Sequence, residues 1–379
     1  MSTATQTELP DGATTIPAAM RAAVYRGKDD VRIEQVPVPR IAPGELLVRV
    51  HTCGICGTDL KKISTGSHSA PRIFGHETAG IVAAVGARVR GYGIGDRVMA
   101  FHHIPCGECF YCRNKVFAQC PVYKKVGCTA GFEPSGGGFA EYVRVMGWIV
   151  SRGGVVKLPD GVSFEQASFI EPVNTCMKAI ETLRLQPSQK VLVIGQGPIG
   201  IILGVLAQKA GAEVITSDLY PQRLTIADGF GLNRSLDASC TDTVHAVRGW
   251  TEGRGADAVV LAVAGTSLIR AAIDAARPGG RVMLFAQTVR GEAVFDPAAV
   301  CVDEKTLLGS YSASIDLQEQ AVTFVCRREV NLERLVSHRF ALADAVEALN
   351  LAAHPQPDSM KVVIQPGRES SDGSLHRHG

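Results

Sequence analysis

Apolar positions along the first 150 residues come in brief runs, and the period then changes. From about residue 22 to 150, "LLVRV", "GIVAAV" and "DRVMAF" are separated by glycine and other turn residues, which predicts a β-rich, loop-rich unit. From about 175 to 315, "KVLVIG", "AEVITSD", "ADAVVLAV", "GRVMLFA" and "TLLGSY" alternate with helix-length stretches. Strands alternating with helices predict a parallel sheet covered on both faces. After 316, "LQEQAVTFVCRRE", "LADAVEALNLAA" and "KVVIQP" read as helix, helix and strand, expected to return to the first unit. The polar N-terminus reads as a loose arm, and the final "RESSDGSLHRHG" as a frayed tail with solvated histidines. There is no repeat at a fixed period.

Composition adds boundaries to this pattern. A chain of 379 residues is long enough for two cores. Lys+Arg number 39 against 37 Asp+Glu, so no strong field favours nucleic acid or an anionic membrane as partner. The start lacks the basic and apolar regions of a secretory signal. The longest apolar stretch, "VLVIGQGPIGIILGVLAQKAGAEVI", is interrupted by glycines, a proline and a lysine, which suits strand, turn and helix better than a membrane span. The expected location is the cytoplasm, where eleven cysteines argue for reduced thiols and metal rather than a disulfide framework.

"VLVIGQGPIG" sets Gly195, Gly197 and Gly200 after an apolar strand and at the mouth of a helix, with Pro198 and Ile199 inside the turn. The glycines serve a tight turn, close approach of backbone to pyrophosphate, and helix-to-strand packing. A second strand ends in Asp218, eighteen residues past Gly200. An acid there accepts from a ribose diol and repels a 2′-phosphate, so NAD is expected over NADP. Arg223 is expected to pack along the adenine edge or face solvent.

Two constellations suggest metal. Cys106, Cys109, Cys112 and Cys120 crowd one loop, and four thiolates satisfy tetrahedral zinc with no open position, which makes a structural site. Cys56, His76 and Glu77 form a mixed sulfur, nitrogen and oxygen set, the kind that leaves a fourth position for substrate. Adjacent ligands require a turn, since neighbours on a strand point to opposite faces. Glu171 is a fourth candidate. Ser163 and Gln166 read as a capping box that starts a short helix and delivers Glu171 to the domain junction.

In family order, "CGICGTD", "GHE", "GDRV", the four-cysteine lobe, "IEP" and "GQGPIG" resemble the zinc-dependent medium-chain dehydrogenase/reductases, nearer the sorbitol (polyol) and threonine branch than the classical alcohol dehydrogenases. The resemblance covers about residues 22–365. It implies an α/β fold with a GroES-like β-rich catalytic domain (22–173 and 316–367, zinc lobe 102–125) and a Rossmann doubly wound parallel-sheet domain (174–315), flanked by an arm (1–21) and a tail (368–379). It also implies two Zn2+ per chain, one structural and one catalytic, and NAD.

By resemblance Cys56, not Cys53, is the catalytic ligand, followed by His76 and Glu77. Glu171 matches the polyol branch's glutamate, which coordinates directly or through water, while Cys176 is a pocket or packing residue and Asp96 is structural. Thr58 matches the hydroxyl that starts the proton relay. Many relatives end that relay in a histidine where this chain has Lys61. Lysine ordinarily titrates far above neutrality, so Lys61 is a ribose clamp, a relay member with a depressed pKa, or a solvated surface residue. His102, His103, Asn174 and Thr175 are expected near the substrate and nicotinamide, with Phe101 as an apolar wall.

The activity implied is zinc-dependent oxidation of a secondary alcohol of a polyol, sugar or cyclitol by NAD. The alternatives are a threonine-type hydroxy amino acid dehydrogenase and a silent NAD-binding sensor. A homodimer or homotetramer is expected, with "TLLGSY" as an apolar edge strand that needs covering.

Overall fold

The computed structural model describes residues 16–123, 125–132 and 135–370. The short apolar runs of the first unit form a curled sheet in which Val336–Ala341, Lys361–Gln365, Leu46–Gly54, Glu77–Val85, Arg97–Ala100 and Val155–Lys157 lie in that order. All neighbours are antiparallel except the first two. The end of the chain thus returns to the first sheet. The strand Val336–Ala341 is an addition to the expected set; its exposed and half-buried polar positions hide it from an apolar-run reading. A smaller sheet holds Asp30–Pro37, Ala19–Gly27 and Arg72–Ile73.

Within the larger sheet, register does functional work. Gly54 pairs with Glu77, so the strand that leads into Cys56 ends beside the segment carrying His76 and Glu77. Gly75, at φ 94°, makes the turn that lets these two neighbours depart from strand alternation. Cys56 then caps helix α1, Gly57–Thr65.

The second unit is a six-stranded sheet ordered Ser235–Asp237, Glu213–Asp218, Lys190–Ile194, Ala256–Leu261, Ala276–Leu284, Thr306–Gly309, parallel throughout. Taken in chain order the strands run 3-2-1-4-5-6, the doubly wound dinucleotide-binding arrangement. Val191 and Val193 enter one core and Leu192 the other, so alternate side chains of one strand serve both faces. Ser235–Asp237 had no apolar run to announce it, and Thr306–Gly309 is a sheet edge, as "TLLGSY" suggested.

Three expectations change. The arm was drawn through residue 21, but the strand Ala19–Gly27 buries Met20 and Ala22; residues 1–15 of the arm and 371–379 of the tail lie outside the described residues. The boundary drawn between 173 and 174 falls inside the helix Ile170–Leu183, which packs on both units. Ser163 does cap Phe164–Ser168 by accepting from Gln166 N–H at 3.0 Å, but no capping box forms. The buried Gln166 side chain instead donates to the Val325 and Val330 carbonyls and accepts from Leu332 N–H and Glu333 N–H. Four tertiary partners outcompete the local one.

Candidate metal and dinucleotide site

Cys56 Sγ, a His76 ring nitrogen and a Glu77 carboxylate oxygen lie within 4.8 Å of one another. Each donor is held from behind. Cys56 Sγ accepts from Thr58 N–H at 3.4 Å, and Cys56 N–H donates to Asp59 at 3.3 Å. The fully buried Asp59 also meets His76 Nδ1 at 3.1 Å, leaving Nε2 as the outward donor, the arrangement that fixes a ligating imidazole. Burial works against charge on both, yet His76 keeps the Asp59 carboxyl below its ordinary value, and Asp59 and Cys56 raise His76 well above its own.

Glu77 is engaged by the buried Lys361, whose ammonium also donates to the Ile55 carbonyl at 3.0 Å. Glu171 opens the helix Ile170–Leu183 and is buried, but it stands outside the 4.8 Å set. Desolvation is the main reason its carboxyl is pushed up to about 7, with Glu77 adding to it and His76 opposing. The donor types and their convergence fit zinc: borderline-soft ligands with room for a further donor. Asp59 stood inside "CGICGTD" and was readable as a helix-start acid. Lys361 had no local signal, being 306 residues from Ile55. Tyr311, exposed at 36%, was also missed; burial of its phenol raises its pKa, and the charges of His76, Cys56 and Glu171 act on it as well.

The other predicted residues divide. Thr58 lies half-buried in the first turn of α1. The His102 ring is 4.8 Å from that of His76, whereas His103 is buried and lies 3.4 Å from the Tyr123 ring, toward the cysteine lobe. Asn174 is not a free pocket amide: it donates to the Ser314 carbonyl at 3.0 Å and accepts from Ser314 N–H at 2.8 Å. Both halves of that amide hold a loop, a role the sequence did not announce beside the substrate contact expected of it. Thr175 is likewise spent on the Pro172 carbonyl at 2.8 Å. Lys61 is half-buried and donates to the Thr288 carbonyl at 2.5 Å, which removes the reading of it as a solvated surface lysine. Cys176 is packed in the core, and Asp96 binds Gly93 N–H and Lys157, a loop-holding role.

In the cysteine lobe, Cys120 Sγ and Cys112 Sγ lie 3.5 and 3.8 Å from Cys106 Sγ, and all four sulfurs fall within 4.8 Å of one another. Backbone N–H groups of Glu108 and Cys109 draw the Cys106 thiol down to about 6, whereas burial pushes Cys112 up to about 12, so the thiolate charge of the cluster is concentrated on Cys106. Phe117 and Tyr123 pack against the cluster.

At the glycine-rich turn, Gly195 adopts φ 92°, and a Cβ on Gly200 would sit 1.8 Å from the Gly195 carbonyl. Gly197 faces open space, with nothing within 4 Å of the corresponding Cβ position. Pro198 begins the helix Pro198–Lys209 and half-buried Ile199 packs beneath it. The arrangement fits a pyrophosphate at a helix N-terminus. Asp218 ends its strand, accepting from Gln196 N–H at 2.6 Å and Tyr220 N–H at 2.9 Å, so each oxygen is oriented and keeps a lone pair for a diol. Arg223, expected along the adenine edge or in solvent, is partly buried and engaged by its own chain. It lies 5.0 Å from the Tyr220 ring centroid and donates to the Gln356 and Ser359 carbonyls.

Elsewhere, a cavity of about 610 Å³ lies on the outer side of the antiparallel sheet, bounded by Arg49, His51, Tyr142 and Arg368; it shares no residue with the candidate site. No helix among the described residues is long and apolar enough to cross a membrane.

Comparison with known proteins agrees with this geometry. An alcohol dehydrogenase GroES-like domain matches residues 42–160, and a zinc-binding dehydrogenase domain matches 198–327. Sorbitol dehydrogenase of Bacillus subtilis (strain 168) is 28% identical over 360 residues, covering 93% of this chain and 99% of that protein. The alcohol dehydrogenase TADH from Thermus sp. ATN1 is 31% identical with a TM-score of 0.79, covering 91% of this chain and 99% of its own. A zinc-binding dehydrogenase from Sinorhizobium meliloti 1021, solved with NADP, is 27% identical with a TM-score of 0.82, covering 92% and 100%.

Proposed function

Because this chain belongs to the zinc-dependent medium-chain dehydrogenase/reductase family, we propose that it oxidises a secondary alcohol of a polyol, sugar or cyclitol to a ketone with NAD+. The observation that carries the substrate class is a buried glutamate in the donor set with Cys56 and His76, Glu77, and a second buried one, Glu171, close enough that His76 and Glu77 act on its carboxyl. Similarity to a sorbitol dehydrogenase supports it.

Zinc and NAD+, when bound, supply Lewis acidity toward a hydroxyl oxygen and a hydride acceptor. Cys56, His76 and Glu77, with Glu171 directly or through water, would hold the reactive zinc; Cys106, Cys109, Cys112 and Cys120 would hold a structural one. Asp59 fixes the His76 ring, and Lys361 balances the charge that Glu77 brings into a buried space. Thr58 takes the hydroxyl proton at Oγ1 and passes it toward the cofactor ribose. His102, 4.8 Å from the His76 ring, and Tyr311, on which His76, Cys56 and Glu171 act, would stand nearest the substrate. Gly197 leaves the backbone open to pyrophosphate, while Asp218 accepts from the ribose hydroxyls and repels a 2′-phosphate. NAD is therefore favoured here, although the S. meliloti relative holds NADP. The exposed edge Thr306–Gly309, flanked by the exposed Val302 and Val294, supports a homodimer or homotetramer.

The test is NADH formation by protein of known zinc content against polyols, aldoses, cyclitols and L-threonine. Activity on a polyol or cyclitol is the expected result. Activity on threonine alone would move the chain to the amino acid branch, and NADH binding without turnover of any alcohol would favour a sensor.

A further inference from the structure

Lys61 links two parts of the molecule that have no covalent neighbour in common. It lies on α1, five residues after Cys56, and its ammonium donates to the main-chain carbonyl of Thr288, 227 residues away. Thr288 belongs to the segment that follows the strand Ala276–Leu284, at the carboxyl end of the parallel sheet, where open α/β sheets bind their ligands.

That segment is a braced ledge. Ala286 N–H donates to the Leu261 carbonyl at 3.1 Å, and Thr288 N–H to the Ala286 carbonyl at 2.9 Å. Between them, the Gln287 side chain accepts from Gly265 N–H at 3.2 Å and donates to the Val263 carbonyl at 3.0 Å. Val263 in turn packs on the glycine-rich turn: a Cβ at Gly195 would lie 2.8 Å from its own Cβ. A continuous path therefore runs from Cys56 through α1 and Lys61 to Thr288, Gln287, Val263 and Gly195.

We propose that Lys61 is a positioning residue that ties α1 to the 286–288 ledge and so sets the spacing between the metal donors and the cofactor turn, rather than the terminus of a proton relay. This rests on the dehydrogenase reading. The acceptor is a main-chain carbonyl, which has no proton to give or take, so the bond transmits position only. An ammonium on a four-carbon stem reaches that carbonyl from α1, and arginine preserves both reach and donor; alanine preserves neither.

The test compares Lys61→Ala, Lys61→Arg and Lys61→His with the parent in zinc-replete protein. Amide hydrogen exchange over 285–289 without cofactor, NADH affinity by fluorescence titration, and the pH profile of kcat/KM are the three readouts. For Lys61→Ala the expectation is faster exchange in that segment and NADH binding weakened about 5- to 30-fold, with the pH profile in place. Lys61→Arg should stay within about threefold of the parent in NADH affinity. Unchanged exchange and affinity in Lys61→Ala would overturn the proposal. So would a shifted pH profile in Lys61→Ala that Lys61→His reverses, since that is the signature of a relay. The exchange measurement needs no substrate, so a parent that binds NADH but oxidises no alcohol would defeat the dehydrogenase reading while leaving this comparison decisive.

Discussion

Gly54 has no room for a methyl group. A Cβ there would lie 2.0 Å from a Glu77 carboxylate oxygen and 2.7 Å from the Lys361 side chain, because strand register brings Gly54 opposite Glu77. Gly54→Ala is expected to displace that pair, to lower stability by about 1–3 kcal/mol as overpacking does, and to reduce zinc at the Cys56 site while the lobe stays loaded. Denaturant melts and metal analysis would check it; parent-like values for both would show that the pair relaxes freely. Glu171 makes a pH-dependent prediction. Its folded pKa of about 7 is raised above the ordinary carboxylate value, so its contribution is fully present below the unfolded value and is lost as pH rises through about 7. In chelator-treated protein, Glu171→Gln should therefore be more stable than the parent at pH 8, by at most about 3 kcal/mol, and the gain should fade toward pH 5. Thermal melts at the two pH values decide it, and an equal gain at both would remove burial of the charge as the cause.

At the scale of elements, the cysteine lobe has neither a strand nor a long helix to hold it. Its regular structure is one helical turn, Phe110–Arg113, and one short 3₁₀ turn, Phe117–Gln119, while Phe110, Tyr111 and Val116 are exposed. Its buried set is small, Phe117 and Tyr123 around the cysteines, and four thiolates on a zinc ion would add to it against the entropy of ordering the loop. Cys109→Ser is expected to lower the zinc content by one per chain and to open residues 105–120 to protease, with the rest of the chain resistant. A zinc content equal to the parent's would mean that the lobe does not hold one. The elements that sequence could announce share a property: their signals are local. Apolar runs with turn residues between them yielded the five longer strands of the parallel sheet, and Ser163 correctly marked a helix start. Ser235–Asp237 and Val336–Ala341 escaped because they borrow stability from neighbouring strands rather than from their own composition.

For the whole molecule, the parallel sheet ends at Thr306–Gly309, which among the described strands pairs on one side only, and an open sheet edge is a template for pairing with another chain. Light scattering of the intact protein is expected to give two or four times the chain mass of 40.2 kDa. A monomer at that mass would mean that solvent satisfies the edge. The two units meet through the helix Ile170–Leu183, through Lys61 and Thr288, and through Arg223 with Gln356 and Ser359. These are the contacts that any closure over a cofactor must keep or exchange.

The amino-acid order by itself determined the parallel sheet, the glycine-rich turn, the acid at Asp218 and both sets of metal-type donors. These depend on periodicity, backbone conformation and ligand chemistry, which act over a few residues. Only the tertiary structure decided what stands behind them: Asp59 on His76, Lys361 on Glu77, Asn174 spent on Ser314, and Lys61 reaching Thr288. Each of those is a contact across a fold, between residues whose separation along the chain carries no signal, and burial then sets its strength by removing the competing water.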